Sequence, residues 1–197
     1  NYNGEFDNIE VNLKYTDEVS VHKNTYEREN YTFKEWNTKS DGTGKGYTGK
    51  ISKLTTKDGD VVNLYAIWKL NLTFTSDNYK IDESNNIIDM IDDKTTVDNF
   101  KKKFVVSEGF KVEVDTTKDN LIYTGGKTKI YDGDKLVLEF SNIIRGDING
   151  DGKISALDYV KVKNHIMKTN LIDSKTIYFK AADANNDTNI SALDYVR

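Results

Sequence analysis

One short acidic loop is written twice in this chain. GDINGDGKISALDYV occupies residues 146–160, and ADANNDTNISALDYV returns the pattern from residue 182. Counted from Asp147, oxygen-bearing side chains stand at positions one, three and five (Asp147, Asn149, Asp151), glycine at six (Gly152) and a carboxylate at twelve (Asp158). A short loop can surround a hard cation only by pointing alternate side chains inward, and calcium takes six to eight oxygens at about 2.3–2.6 Å. The spacing therefore predicts calcium ligands at Asp147, Asn149, Asp151, Lys153 through its carbonyl, Ser155 through its hydroxyl or a water, and Asp158. Magnesium, smaller and strictly octahedral, fits such a loop poorly.

The second copy offers Asp183, Asn185, Asp187, the carbonyl of Asn189, Ser191 and Asp194. Its sixth position is Thr188. If that position needs positive φ, a β-branched residue is strained there by roughly 1–3 kcal/mol, so the second of two Ca2+ sites is expected to be the weaker. The plain alternative is a surface turn rich in Asp and Asn. Two copies sharing both the D-x-N-x-D spacing and ISALDYV argue against it.

The first loop is preceded by a strand-like run, KLVLEFSNII, and both loops close in Asp rather than the Glu of an EF-hand. On these features residues 146–197 resemble a type I dockerin over the first loop, the helix DYVKVKNHIMK, the connector and the second loop, with the second helix incomplete. The resemblance implies a small α-helical calcium module. Its partner would be a cohesin-type protein module or another surface protein. It also implies that partner choice lies at Ala156, Leu157, Lys163 and Asn164 in the first copy and at Ala192 and Leu193 in the second. Leu157 and Leu193 have the alternative of packing into the helix pair. His165 is expected to be a surface helix residue, since oxygens already satisfy the cation.

Upstream, residues 1–70 alternate in period two, at Ile9, Val11, Leu13 and Tyr15 and again at Val19 and Val21, which predicts strands. YTFKEWNTKSDGTGKGYTGKISKL sets Tyr31, Phe33 and Trp36 before a glycine bend at Gly42, Gly44 and Gly46, and VVNLYAIW closes the unit. Trp36 and Trp68 suit either a small sheet's core or a carbohydrate-stacking platform; their place among alternating apolar residues favours the core. Residues 1–69 resemble the internalin-type B repeat, or Listeria-Bacteroides repeat, with Asn30 and Glu35 where that family usually has glycine. The resemblance implies a β-grasp-like module used as a spacer or adhesive unit in bacterial surface proteins, with no catalytic residue.

Residues 71–145 read as an α+β, sheet-dominated unit. TTVDNFKKKF predicts a short helix capped by Thr95, and FKVEVDT alternates as a strand. KTKIYDGDKLVLEF predicts a hairpin whose turn is Asp132-Gly133. The TGGKTKIYDG hairpin resembles the β module that often precedes dockerins in surface proteins of Gram-positive bacteria. WKLNLTFTS enters the unit with one strand leading almost directly on, and with no proline in the chain no stiff extended linker separates the units. The expected organisation is multidomain and β-rich: 1–70, 71–145 and 146–197.

Composition excludes several functions. The net charge of −4 comes with no basic stripe, which argues against nucleic acid as partner. Without cysteine there is neither a disulfide framework nor a thiolate nucleophile. No apolar run reaches the length of a membrane span. His22 has no acid or nucleophile placed beside it, and the densest acids are committed to the loops, so no catalytic residue is expected. Asn1 does not open a signal sequence, and the chain is expected to be a C-terminal fragment of a secreted or cell-surface protein of a bacterium, Gram-positive by its resemblances. The expected function is calcium-dependent docking carried on β spacers. The alternative is a calcium-rigidified structural stalk of an adhesin with no cohesin partner.

Overall fold

The structure is a computed structural model that describes residues 17–21, 23–57 and 59–195. The run from Ile9 to Tyr15, and His22, lie outside the described residues. The chain divides into two compact units, residues 1–72 and 73–197. The sheet-dominated segment and the two acidic loops, read from the sequence as separate domains meeting at 145/146, lie within the second unit.

The first unit contains β1 (Val19–Ser20), β2 (Tyr31–Asn37), β3 (Gly46–Tyr47), β4 (Lys50–Ile51) and β5 (Tyr65–Leu70). An antiparallel sheet runs in the order β3-β2-β5, and β1 pairs with β4. Phe33 stands opposite Trp68, their ring centroids 5.7 Å apart and nearly edge-on, and Trp36 lies 5.4 Å from the same ring. Both tryptophans are half-buried against this ring, packed on the sheet but not enclosed in a core as their alternation led us to expect. The glycine bend follows from Asn37, which is buried and donates its amide to Glu35 Oε1 and to the carbonyls of Gly42 and Gly44. A Cβ on Gly44 would collide with the side chains of Thr38 and Asn37. Of VVNLYAIW, only the residues from Tyr65 onward form strand, and Val61 is exposed.

The second unit begins with β6 (Phe74–Thr75), β7 (Lys80–Asp82) and β8 (Ile87–Asp89), and continues through β9 (Val105–Val106), β10 (Phe110–Val114), β11 (Lys127–Asp132) and β12 (Lys135–Asn142). Its main sheet runs β10-β11-β12-β8-β7, antiparallel except where β12 meets β8, and β6 pairs with β9 beside it. The hairpin forms as expected, but its turn is one residue later. Asp132 pairs with Lys135, leaving Gly133-Asp134 as the loop, with Gly133 at φ +58° in the first turn position, where a type II′ turn takes glycine.

The short helix is α1 (Val97–Lys101), and its cap differs from expectation. Thr96, not Thr95, stands at the N-cap, with no side-chain cap bond, while Thr95 donates its hydroxyl to the carbonyl of Asp92. What holds so short a helix is its packing. Phe100 is fully buried and sits 4.9 Å from Phe104 and 5.2 Å from Tyr79, and Phe104 stacks on Phe74 at 4.7 Å.

After β12 come α2 (Ala156–Ile166), α3 (Ile177–Ala182) and a 3-10 turn at Ala192–Tyr195. Helix α3 leads directly into the second loop, whereas a strand, β12, leads toward the first. Its last two residues join two cores. Ala181 packs with Ile87 and Ile143 of the sheet layer, and Ala182 with Ile148 and Val162 of the first loop and α2. Alanine suits both places because a larger side chain would separate the layers that meet there.

Candidate metal centre

Asp147 anchors the first loop and is completely buried. Its Oδ1 accepts the backbone N–H groups of Gly150 (2.9 Å) and Asp151 (3.1 Å), and its Oδ2 those of Gly152 (3.1 Å) and Thr124 (2.9 Å). Burial pushes this carboxyl up, against the four N–H donors that pull it down. Asp158 reaches back from the first turn of α2: its Oδ1 accepts from the N–H groups of Ile148 (2.8 Å) and Asn149 (2.9 Å), closing the loop on its own beginning.

Position six behaves as the spacing required. Gly152 takes φ +79° and Thr188 takes φ +74°. In the first loop glycine is needed twice over, because a Cβ on Gly152 would collide with the carbonyl oxygen of Ile122. The second loop repeats the frame. Asp183 accepts the N–H groups of Asp187 and Thr188, each at 2.9 Å, and Asp194 accepts those of Asn185 (3.2 Å) and Ser191 (2.8 Å). Asp194 is buried within the 3-10 turn, where the sequence led us to expect the start of a second helix.

Other expected ligands have structural duties. The Ser155 hydroxyl accepts the N–H of Leu157 and donates to Asp158 Oδ2, a capping box that starts α2. Ser191 accepts the N–H of Leu193 in the same way. Asn149 and Asn185 each donate their amide to the carboxylate two residues on, Asp151 and Asp187, at 2.9 Å. The N–H groups of Lys153 and Asn189 donate to those same carboxylates, also at 2.9 Å. The Lys153 ammonium pairs with Asp119, at 2.9 Å, and the contact lowers the Asp119 carboxyl and raises the lysine.

Among the described residues, no three or more His, Cys, Asp or Glu converge in a group that could hold a metal. The loop carboxylates are turned onto backbone N–H groups instead. In kind, however, the donors fit a hard cation: each loop offers oxygen alone, at the alternation calcium requires. The buried Asp147 has four N–H donors and, among the described residues, no cationic partner. A buried carboxylate of this kind favours positive charge nearby.

Residues 145–197 match the family model of the dockerin type I domain. No curated protein and no solved structure matches the chain. The matched region begins at Arg145, and it contains both loops, α2, α3 and the 3-10 turn. No helix among the described residues is long and apolar enough to cross a membrane.

The residues that the dockerin resemblance nominated for partner contact are placed as follows. Leu157 and Leu193 are 66% and 67% exposed, so neither is packed into the helix pair. Ala156, Lys163 and Ala192 are exposed and Asn164 is half-buried. His165 is not a free surface residue. Its Nδ1 accepts the N–H of Ile172 at 3.0 Å and its ring meets Phe179 edge-on, tying α2 to the connector.

Three features that shape the two loops escaped the sequence reading: Thr124, which reaches the first loop from a distant turn; Arg145, which contacts the second; and helix α3. The Thr124 link had no signal in the sequence, because it is a backbone N–H.

Proposed function

We propose that residues 145–197 form a calcium-dependent docking module for a cohesin-type partner, carried on non-catalytic β-rich segments of a secreted or cell-surface bacterial protein. The carrying observation is the dockerin type I match over a region whose two loops repeat one frame and expose one leucine each, Leu157 and Leu193. Calcium would be held at Asp147, Asn149, Asp151, the Lys153 carbonyl and Asp158, and at Asp183, Asn185, Asp187, the Asn189 carbonyl and Asp194. When bound it supplies the charge that offsets the buried carboxylates.

The chain's own residues give the docking face its form. The capping box of Ser155 and Asp158 fixes where α2 begins, and hence where Ala156 and Leu157 stand on its first turn. Exposed apolar side chains on a helix end suit the buried centre of a protein interface, with Lys163 and Asn164 toward its polar rim. Residues 1–69, of the B-repeat type they resemble, serve as a β-grasp-like spacer.

Binding of the chain to a panel of purified cohesin modules, with calcium and with chelator, tests this reading. Chelator-sensitive binding that falls on Leu157→Asp combined with Leu193→Asp supports it; absence of any cohesin binding in calcium opposes it. The second reading is a calcium-rigidified stalk with no cohesin partner. It is favoured by Ala181 and Ala182, which join the sheet core to the dockerin region. On that reading the leucine substitutions leave every property of the chain unchanged.

A further inference from the structure

The Arg145 guanidinium connects strand β8 to the second loop. Its Nε donates to Asp89 Oδ1 at 3.0 Å and its Nη2 to Asp89 Oδ2, a two-point ion pair whose side chains are 11% and 12% exposed. The remaining donors face the second copy. Nη1 donates to the carbonyls of Lys180 (2.9 Å) and Asp183, and Nη2 to Asn186 Oδ1 at 3.1 Å. Asp183 is position one of that loop, and Asn186 is position four, at φ +61°.

The two loops are supported differently. In the first, the Asp147 carboxylate is fixed from outside by the N–H of Thr124. In the second, among the described residues, the Asp183 carboxylate accepts only from Asp187 and Thr188 of its own loop. The loop also carries the strained Thr188. Its support from outside comes from Ile190, packed against Ile148, Val162 and Ala182, and from the polar contacts that Arg145 makes at the Asp183 carbonyl and Asn186 Oδ1. A lone guanidinium against a cation site would repel the cation, and at low exposure that repulsion is poorly screened. Asp89 takes up the charge at contact distance, so the fork can hold the loop without opposing a metal.

We propose that Arg145, neutralised and oriented by Asp89, is the positioning residue of the second loop, so that cation binding there depends on an ion pair rooted in the β-sheet. The proposal rests on the reading of both loops as calcium sites.

Calcium titration of the full chain, followed at the amide resonances of Gly152 and Thr188, reads the two loops separately. Asp89→Asn keeps the shape of the partner but strands the guanidinium charge. It is expected to weaken calcium at the second loop about tenfold, or about 1.4 kcal/mol, and to leave the first within about twofold. Arg145→Lys keeps the charge but loses the fork, and is expected to weaken the second loop as well. Asn186→Gly preserves the positive φ and removes only the Oδ1 contact; a loss of about threefold confined to the second loop is expected. This variant leaves the sheet untouched and so guards against a folding defect. Unchanged second-loop affinity in both Asp89→Asn and Asn186→Gly, or equal losses at both loops in Asn186→Gly, overturns the positioning role while leaving the calcium reading intact. A wild-type chain whose two amides ignore calcium overturns both.

Discussion

Gly152 and Thr188 share one backbone conformation, φ +79° in the first loop and +74° in the second, although only one of them is a glycine. The duplication preserved the geometry of position six and not its residue. The reason lies in the surroundings. The carbonyl of Ile122 crowds Gly152 so closely that no side chain fits, whereas the Thr188 side chain is exposed. The second loop therefore tolerates a β-branched residue at the cost of strain alone.

Thr188→Gly is accordingly expected to stabilise the second unit by about 1 kcal/mol, less whatever glycine adds to the entropy of the unfolded chain. Denaturant unfolding of the two proteins gives the comparison. A destabilised variant would mean that Thr188 makes interactions that outweigh its strain.

The converse substitution, Gly152→Ala, is expected to cost about 3 kcal/mol or more, since it adds a steric collision with Ile122 to an unfavourable φ. The comparison variant is Gly133→Ala in the β-hairpin. Its φ is also positive, at +58°, but open space surrounds its Cβ position. It should cost about 1 kcal/mol. Equal losses at the two glycines, measured by denaturant unfolding, would remove the crowding argument.

Thr124 offers a third test. It is fully buried, its hydroxyl donates to the carbonyl of Ile144 (3.2 Å) and accepts the N–H of that same residue (3.1 Å), and its own N–H holds Asp147. Thr124→Val keeps the volume and the N–H but leaves both Ile144 groups without this partner, for an expected loss of about 1–3 kcal/mol. Hydrogen exchange at the Ile144 amide should rise with the loss of stability; an unchanged rate contradicts the assignment.

Asp82, in the β7–β8 turn, should titrate well below the ordinary carboxylate range. Hydrogen bonds from the Ser84 hydroxyl and from the side chain and backbone of Asn85 lower it to about 2. Because the folded value lies below the ordinary 3.8, its contribution to stability is present above pH 3.8 and lost as pH falls toward 2. Carboxyl carbon shifts followed through that range give the value directly, and a midpoint near 3.8 would show that the turn does not hold the carboxylate.

The sequence made the two loops legible because their chemistry is local. Alternate oxygens, a glycine and a closing acid within twelve positions specify a loop whatever surrounds it: Gly152 takes the positive φ that the turn needs, and Asp147 and Asp158 accept the N–H groups that close it. The longer alternating strands and the hairpin were legible for the same reason. Helix α3 was not, since Ile177–Ala182 is too short to show a helical period and is ordered by the packing of Ala181 and Ala182. Arg145 read only as the residue after a strand, because its partners come from positions 89, 180, 183 and 186. The contact of His165 was not legible for a similar reason, as its nitrogen meets Ile172 only once the chain has turned back.

Thermal unfolding of the full chain in calcium and in chelator shows whether the two loops hold calcium. Residues 73–197 form one compact unit that holds both loops, while residues 1–72 hold neither. Calcium at a hundred times its dissociation constant should add about 2.7 kcal/mol for each site filled to the second unit. Chelation is expected to lower the transition in which the β-sheet of residues 80–142 melts together with residues 145–195, and to leave the transition of residues 1–72 where it was. Coincident curves in calcium and chelator would contradict this expectation.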